Sequence, residues 1–312
     1  MFKLRFLLLA GWALVGSNAS AAPGIIPAGQ PVLHSASALV IDRETGQVLY
    51  SKSPDTVTPI ASITKLMTAL VTLDANLPMT ERISILEEDK DMLKGSHSRL
   101  HVGSFVTRHD LLHIALMASE NRAAAALGRT YPGGPEVFVR AMNAKAQLLG
   151  MSQSRFFDPT GLSSENVSSA RDLSRLINAA YMYPAVREMT TSTSYAFDAG
   201  GHTMQYKNSN RLVGSSAWDI GLSKTGYISE AGRCLVMQAK MASRDVAIVL
   251  LDSQGKLTRL ADSLRIKQWL EGVTVSRPTR LTYASPRIKV KHRVKHQAKR
   301  RQTMTLAANT RS

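Results

Sequence analysis

Residues 218–253 read WDIGLSKTGYISEAGRCLVMQAKMASRDVAIVLLDS. Three β-rich runs lie inside this stretch, at 218–228, 233–241 and 245–253, and the spacing predicts successive strands joined by short turns. Upstream, SALVIDRETGQVLYSK (37–52) predicts a hairpin around Glu44-Thr45-Gly46. SYAFDAGGHTMQY (194–206) predicts another around Gly200-Gly201.

Between these β-rich ends the periodicity is helical. In PIASITKLMTAL (59–70) and its continuation, Ile63, Leu66, Met67, Leu70 and Val71 recur at helical spacing. Thr107 to Asp110 is a capping box opening the helix DLLHIALMAS, which breaks at Glu120-Asn121 and resumes as RAAAALGR to about Gly128. After the turn YPGGP (131–135), EVFVRAMNAKAQLLG is a helix closed by Gly150, and SSARDLSRLINAAYMY (168–183) starts at a Ser cap. KLTRLADSLRIKQWLEG (256–272) closes the body as an amphipathic helix. Strands at both chain ends and helices in the middle imply one sheet built from both ends, with a helical insert packed beside it.

The 312 residues carry a net charge of +16, but eleven Lys/Arg and no acid lie after Ser276, and Lys3 and Arg5 stand at the other end, so the body carries only +3. The charge therefore belongs to a basic tail, 276–312, that has too few large apolar residues to order itself. Lys3 and Arg5 precede the apolar run 6–15, and Ala19-Ser20-Ala21 offers a small-residue cleavage pattern, which predicts a signal peptide over 1–21 and export. A retained anchor is the alternative. Export argues against nucleic acid as the partner of the tail, leaving anionic envelope surfaces or no partner. Cys234 is the only cysteine and sits in an apolar run, so no internal disulfide can form and buried packing is expected. Histidines pair at i, i+4 (His97/His101, His109/His113, His292/His296), but none has an evident third ligand, and neither a metal nor a cofactor is expected.

Ser62 and Lys65 stand three apart on one helix, hence on one face. A serine needs a base before it attacks, and a lysine serves only if burial or a nearby cation keeps it neutral. Ile63, Leu66 and Met67 supply an apolar setting, and the helix N-terminus favours developing negative charge. The pattern alone is weak, because Ser253 to Lys256 repeats it, although after a strand and with Gly255 inside. Two further motifs add weight. Ser119-Glu120-Asn121 falls at a junction between helices, and Lys224-Thr225-Gly226 lies on a strand, where a glycine admits a close backbone and the other two offer a cation and a hydroxyl to a carboxylate. Ser164-Glu165-Asn166 repeats the middle motif in the loop after DPTGL, out of order.

Ser-x-x-Lys, Ser-x-Asn and Lys-Thr-Gly in that order resemble the signature of penicillin-recognising serine enzymes. LMASENRAAA, MNAKAQLLGM, PTGLSSENVSSARDL and LSKTGYISEAGRCLVM extend the resemblance, over about residues 37–272, to low-molecular-mass D-alanyl-D-alanine endopeptidases of Gram-negative bacteria, the penicillin-binding protein 7 type. The resemblance implies an α/β (α+β) fold of the β-lactamase/transpeptidase-like kind: an antiparallel five-stranded sheet flanked by helices (about 37–62 and 190–275) plus a helical subdomain (about 63–189), within a serine peptidase domain 22–275. It implies a periplasmic peptidoglycan hydrolase with Ser62 as nucleophile, Lys65 as general base and Ser119 as proton relay. Asn121 would hold the substrate amide and Lys65, and Lys224 and Thr225 would bind the substrate carboxylate beside Gly226. The N–H groups of Ser62 and Tyr227 would form the oxyanion hole. Peptidoglycan peptides would be substrates and β-lactams covalent inhibitors. The β-rich C-terminal domain and anchor helix of the related carboxypeptidases have no room after Gly272, which favours the endopeptidase type. Carboxypeptidase, β-lactamase and non-catalytic wall-binding readings remain as alternatives.

Overall fold

The computed structural model describes residues 29–272; the signal peptide and basic tail expected from the sequence lie outside them. Five strands form the main sheet: β1 (Ser35–Asp42), β2 (Val48–Lys52), β9 (Asp219–Ile228), β10 (Gly232–Met241) and β11 (Arg244–Ser253). Their order is β2-β1-β11-β10-β9, all neighbours antiparallel, so the first strands of the chain join the last ones through the β1–β11 pair, as with Leu39 opposite Val249.

The apolar runs of β10 and β11 are nearly unbroken because both faces of the sheet are covered. Val236, Val249 and Leu251 point into the cluster shared with the helices, whereas Leu235, Met237, Ile248 and Leu250 point the other way, onto Ile266, Trp269 and Leu270 of the last helix (Thr258–Leu270). Alternation with a period of two thus fills two cores from one strand.

The intervening segment adds β3 (Thr58–Pro59), α1 (Thr64–Asp74), β4 (Arg82–Ser84), β5 (Phe105–Thr107), α2 (Arg108–Met117), α3 (Asn121–Arg129), α4 (Gly134–Leu148), β6 (Val167–Ser168), α5 (Ala170–Tyr181), α6 (Pro184–Thr191), β7 (Ser194–Asp198) and β8 (Thr203–Lys207). The C-terminal helix is α7. Thr107 caps α2 by accepting the Asp110 N–H, and Ser169 caps α5 by accepting that of Asp172, as their sequence signatures require. Three features differ from the sequence expectation. The helix expected over 168–183 stops at Tyr181, and Pro184 starts a separate helix α6. The pairs β3–β6 and β4–β5 are only two and three residues long, too short to show a period. Among the described residues the β7–β8 hairpin pairs only with itself.

Candidate active site

Ser62 lies in a 3-10 turn, Ala61–Ile63, that leads directly into α1. Ala61 has φ +48°, a left-handed conformation that costs a non-glycine residue about 1 kcal/mol. The turn is held by its surroundings: Thr64 Oγ1 donates to Ala61 O (2.8 Å) and Ile60 N to Asn166 O (3.0 Å). Two glycines let it seat. A Cβ on Gly161 would lie 2.0 Å from Ala61 O, and one on Gly226 would lie 2.9 Å from Ile60 O and 3.2 Å from Ser62 N. The sequence suggested that Gly226 makes room for a substrate backbone; what sits against it here is the turn carrying Ser62.

Lys65 follows in the first turn of α1, and its side chain is buried. Its Nζ lies 2.9 Å from Ser62 Oγ, 2.7 Å from Asn121 Oδ1 and 2.5 Å from Thr160 O. Burial lowers the ammonium pKa to about 8, against the opposing pull of the Asp158, Glu120 and Asp91 carboxylates. The geometry defines what the neutral amine can do. It has two N–H bonds and one lone pair. Asn121 Oδ1 and Thr160 O can only accept, so they take the N–H bonds and leave the lone pair facing the Ser62 hydroxyl.

Thr160 O is delivered by a loop built around one carboxylate. Asp158 accepts the N–H groups of Thr160, Gly161 and Ser163, the Thr160 hydroxyl and the Asn166 side-chain amide. Asn166 is itself fully buried and accepts the Phe157 N–H, so the second Ser-x-Asn match is a loop brace. The second Ser-x-x-Lys match is also structural: Ser253 is buried against Ser35 and Lys256 is exposed.

Ser119 occupies the corner between α2 and α3 with φ +63°. Lys224, buried on β9, donates to Ser119 Oγ (2.8 Å) and to Thr225 O (2.9 Å); a third N–H is present only when it is an ammonium. Burial, then the charges of Lys65 and Arg259, hold its pKa well below the usual lysine range. The Thr225 and Ser209 hydroxyls are 2.8 Å apart. Asn121 gives one N–H to Ser96 Oγ (2.8 Å) and keeps a second. Tyr227 continues β9, the edge strand, with its ring exposed under the Arg233 guanidinium.

The three distant motifs therefore meet at one place: Ser62 with Lys65, Lys65 with Asn121, and Ser119 with Lys224. Sequence reasoning missed Asp158, Thr160, Gly161, Ser96, Ser209 and Arg259. Arg259 on α7 lowers the Lys224 pKa, and its Nε and one terminal nitrogen are buried without a hydrogen-bond partner among the described residues. Of these only the Asp-Pro-Thr-Gly turn left a visible trace in the sequence. The His109/His113 pair is a packing feature: His113 is buried, stacks 3.7 Å from Tyr195, and burial takes its pKa down to about 4.

Residues 26–255 match the family described as D-alanyl-D-alanine carboxypeptidase. A D-alanyl-D-alanine endopeptidase of Pseudomonas aeruginosa is 50% identical over 244 residues, covering 78% of this chain and 79% of that one. The enzyme of the same name from Escherichia coli K12 is 44% identical over 275 residues, 87% of each chain. Among solved structures, the Streptomyces K15 DD-transpeptidase is similar, with a TM-score of 0.71 and 28% identity over 77% of this chain and 98% of that one.

Proposed function

This chain belongs to the D-alanyl-D-alanine carboxypeptidase family of serine hydrolases, and from that premise we propose that it is an endopeptidase cleaving D-alanyl–meso-diaminopimelate cross-links of peptidoglycan through an acyl-enzyme on Ser62. The arrangement of Lys65 Nζ, with two acceptors fixing its N–H bonds and a hydroxyl facing its lone pair, carries the reading of the chemistry. The choice of bond rests on the 44–50% identity to two D-alanyl-D-alanine endopeptidases.

In this scheme Lys65 takes the Ser62 proton as Oγ attacks the D-alanine carbonyl. The N–H groups of Ser62 and Tyr227 receive the oxyanion. The C–N bond breaks, and the proton returns through Lys65 and the Ser119 hydroxyl to the leaving amine. Asn121 uses its spare N–H on the substrate amide. The substrate carboxylate sits against the third N–H of protonated Lys224, with the Thr225 hydroxyl, bonded to Ser209, and Arg259, two of whose guanidinium nitrogens lack partners among the described residues, completing the site. Such a carboxylate offsets the burial and the repulsion that depress Lys224 and draws its pKa upward. Water then attacks the ester, Lys65 again removing a proton, and frees Ser62. As the last strand of the sheet, β9 suits an extended peptide lying alongside as an added strand. β-Lactams acylate Ser62 by the same attack and leave slowly.

The leader 1–21 accords with export to the periplasm, and the basic segment 276–312 with association to anionic envelope polymers; both rest on sequence. Digestion of purified cross-linked muropeptides tests the reading: D-alanyl–diaminopimelate dimers should resolve to monomers. Release of free D-alanine alone would make the protein a carboxypeptidase.

A further inference from the structure

Beside the Ser119 corner lies a cavity of about 530 Å³ that the catalytic scheme does not use. Its walls include His97 and Arg99 from the segment after α1, Tyr206 and Lys207 of β8, and Glu120, the residue bonded to Ser119. Arg99, Lys207 and Glu120 make no ion pair among the described residues. Arg99 is held by neutral groups, donating to Gln205 O (2.9 Å) and lying 4.1 Å over the Tyr206 ring, and forms no ion pair among the described residues. The Lys207 ammonium has no hydrogen-bond or ion-pair partner among the described residues. Glu120 is 8% exposed, accepts the Arg122 N–H (3.3 Å) and favours the Lys65 ammonium through its charge, but makes no ion pair among the described residues.

A buried carboxylate, a held guanidinium and an exposed ammonium lining one cavity select its ligand by charge. A simple anion meets Glu120, and a simple cation meets Arg99 and Lys207, each with repulsion. A group carrying both an ammonium and a carboxylate satisfies both sides. Resting on the endopeptidase reading above, the substrate contains such a group in reach. The acyl-donor diaminopimelate directly precedes the D-alanine that acylates Ser62, and it bears a free D-amino-acid head on a three-methylene arm. Glu120 is one residue, about 3.8 Å along the backbone, from Ser119. We propose that this cavity is the subsite for that zwitterionic head, its carboxylate against Arg99 and Lys207 and its ammonium against Glu120.

The test uses the purified protein and synthetic cross-linked donors that differ only at this head: free diaminopimelate, its D-centre amide, its N-acetyl form, and lysine. The parent enzyme should cleave the free diaminopimelate donor with kcat/KM about tenfold above the lysine and amide donors, the scale of a hydrogen bond to a charged group. Lys207→Ala should reduce that preference to under about threefold while benzylpenicillin acylates it at the parent rate. Glu120→Gln should erase discrimination against the N-acetyl donor. Equal cleavage of all four donors by the parent, with penicillin acylation intact, overturns the subsite and leaves the endopeptidase reading standing. Cleavage of none by an enzyme that penicillin still acylates overturns the endopeptidase reading and the subsite with it.

Discussion

Asp158→Asn separates two effects that the structure ties to one carboxylate. Five donors converge on Asp158: three on Oδ1, from Thr160 and Gly161, and two on Oδ2, from Ser163 and Asn166. An asparagine can accept on one side only. Its NH₂ faces at least two donors, so two bonds to an ionised acceptor are lost at about 1.5 kcal/mol each. The expected destabilisation is about 3 kcal/mol, or roughly 6–12 °C in Tm for a domain of this size. The loop then no longer fixes Thr160 O on Lys65 Nζ, and misplacement of a reacting group by about 1 Å costs on the order of a hundredfold. Acylation by a fluorescent penicillin should fall by roughly tenfold to a hundredfold at saturating pH. The pH profile is the sharper readout. Acylation needs neutral Lys65, so the parent rate should rise with pH through an inflection near 8. Asp158 is the first of the three carboxylates that favour the ammonium. Its neutralisation should move the inflection below the parent value. A loop that merely loosens and admits water would relieve the burial and move it upward. An upward shift, or a parent-like rate and profile, refutes the reasoning.

Gly161→Ala places a methyl 2.0 Å from Ala61 O at φ +78°, against backbone that cannot retreat; penicillin acylation should fall at least a hundredfold, on the order expected for a displaced nucleophile, as stopped-flow labelling would show. Lys65→Met tests the burial of the amine through stability. The folded pKa is lowered from 10.5 to about 8, so the unfolded chain alone holds the proton between these values, and parent stability falls as pH drops across that window and levels off below it. Relative to the non-titrating variant, urea denaturation should find the parent losing about 3 kcal/mol between its high-pH and neutral limits. A parent-variant difference independent of pH contradicts the buried-amine account.

The parts of this protein that were legible in the sequence are those written in side-chain pattern. The apolar runs of β10 and β11, the Thr107 and Ser169 caps, and the motif residues Ser62, Lys65, Ser119, Asn121 and Lys224 are carried by residue identity at fixed spacing, and hydrogen bonds link Lys65 to Ser62 and Asn121, and Lys224 to Ser119. What escaped is carried by backbone or by distance. Thr160 acts through its carbonyl, which any residue possesses. Ala61 and Ser119 are forced into left-handed conformations by their surroundings, and neither residue type signals that. Arg259 reaches the site from α7, 35 residues beyond Lys224, with no motif around it. At Gly226 the sequence suggests room for a substrate backbone, and the neighbour in the structure is the Ser62 turn. The helix α6 was missed because it is eight residues long and follows α5 after a short break that hydropathy does not mark.

The central claim is that one hydroxyl, Ser62 Oγ, is the acyl acceptor. Mass spectrometry of the intact protein after incubation with benzylpenicillin, followed by peptide mapping, tests it most directly. The account requires a single covalent adduct on the peptide containing Ser62, absent in Ser62→Ala; an adduct that maps elsewhere, or that survives the substitution, contradicts it.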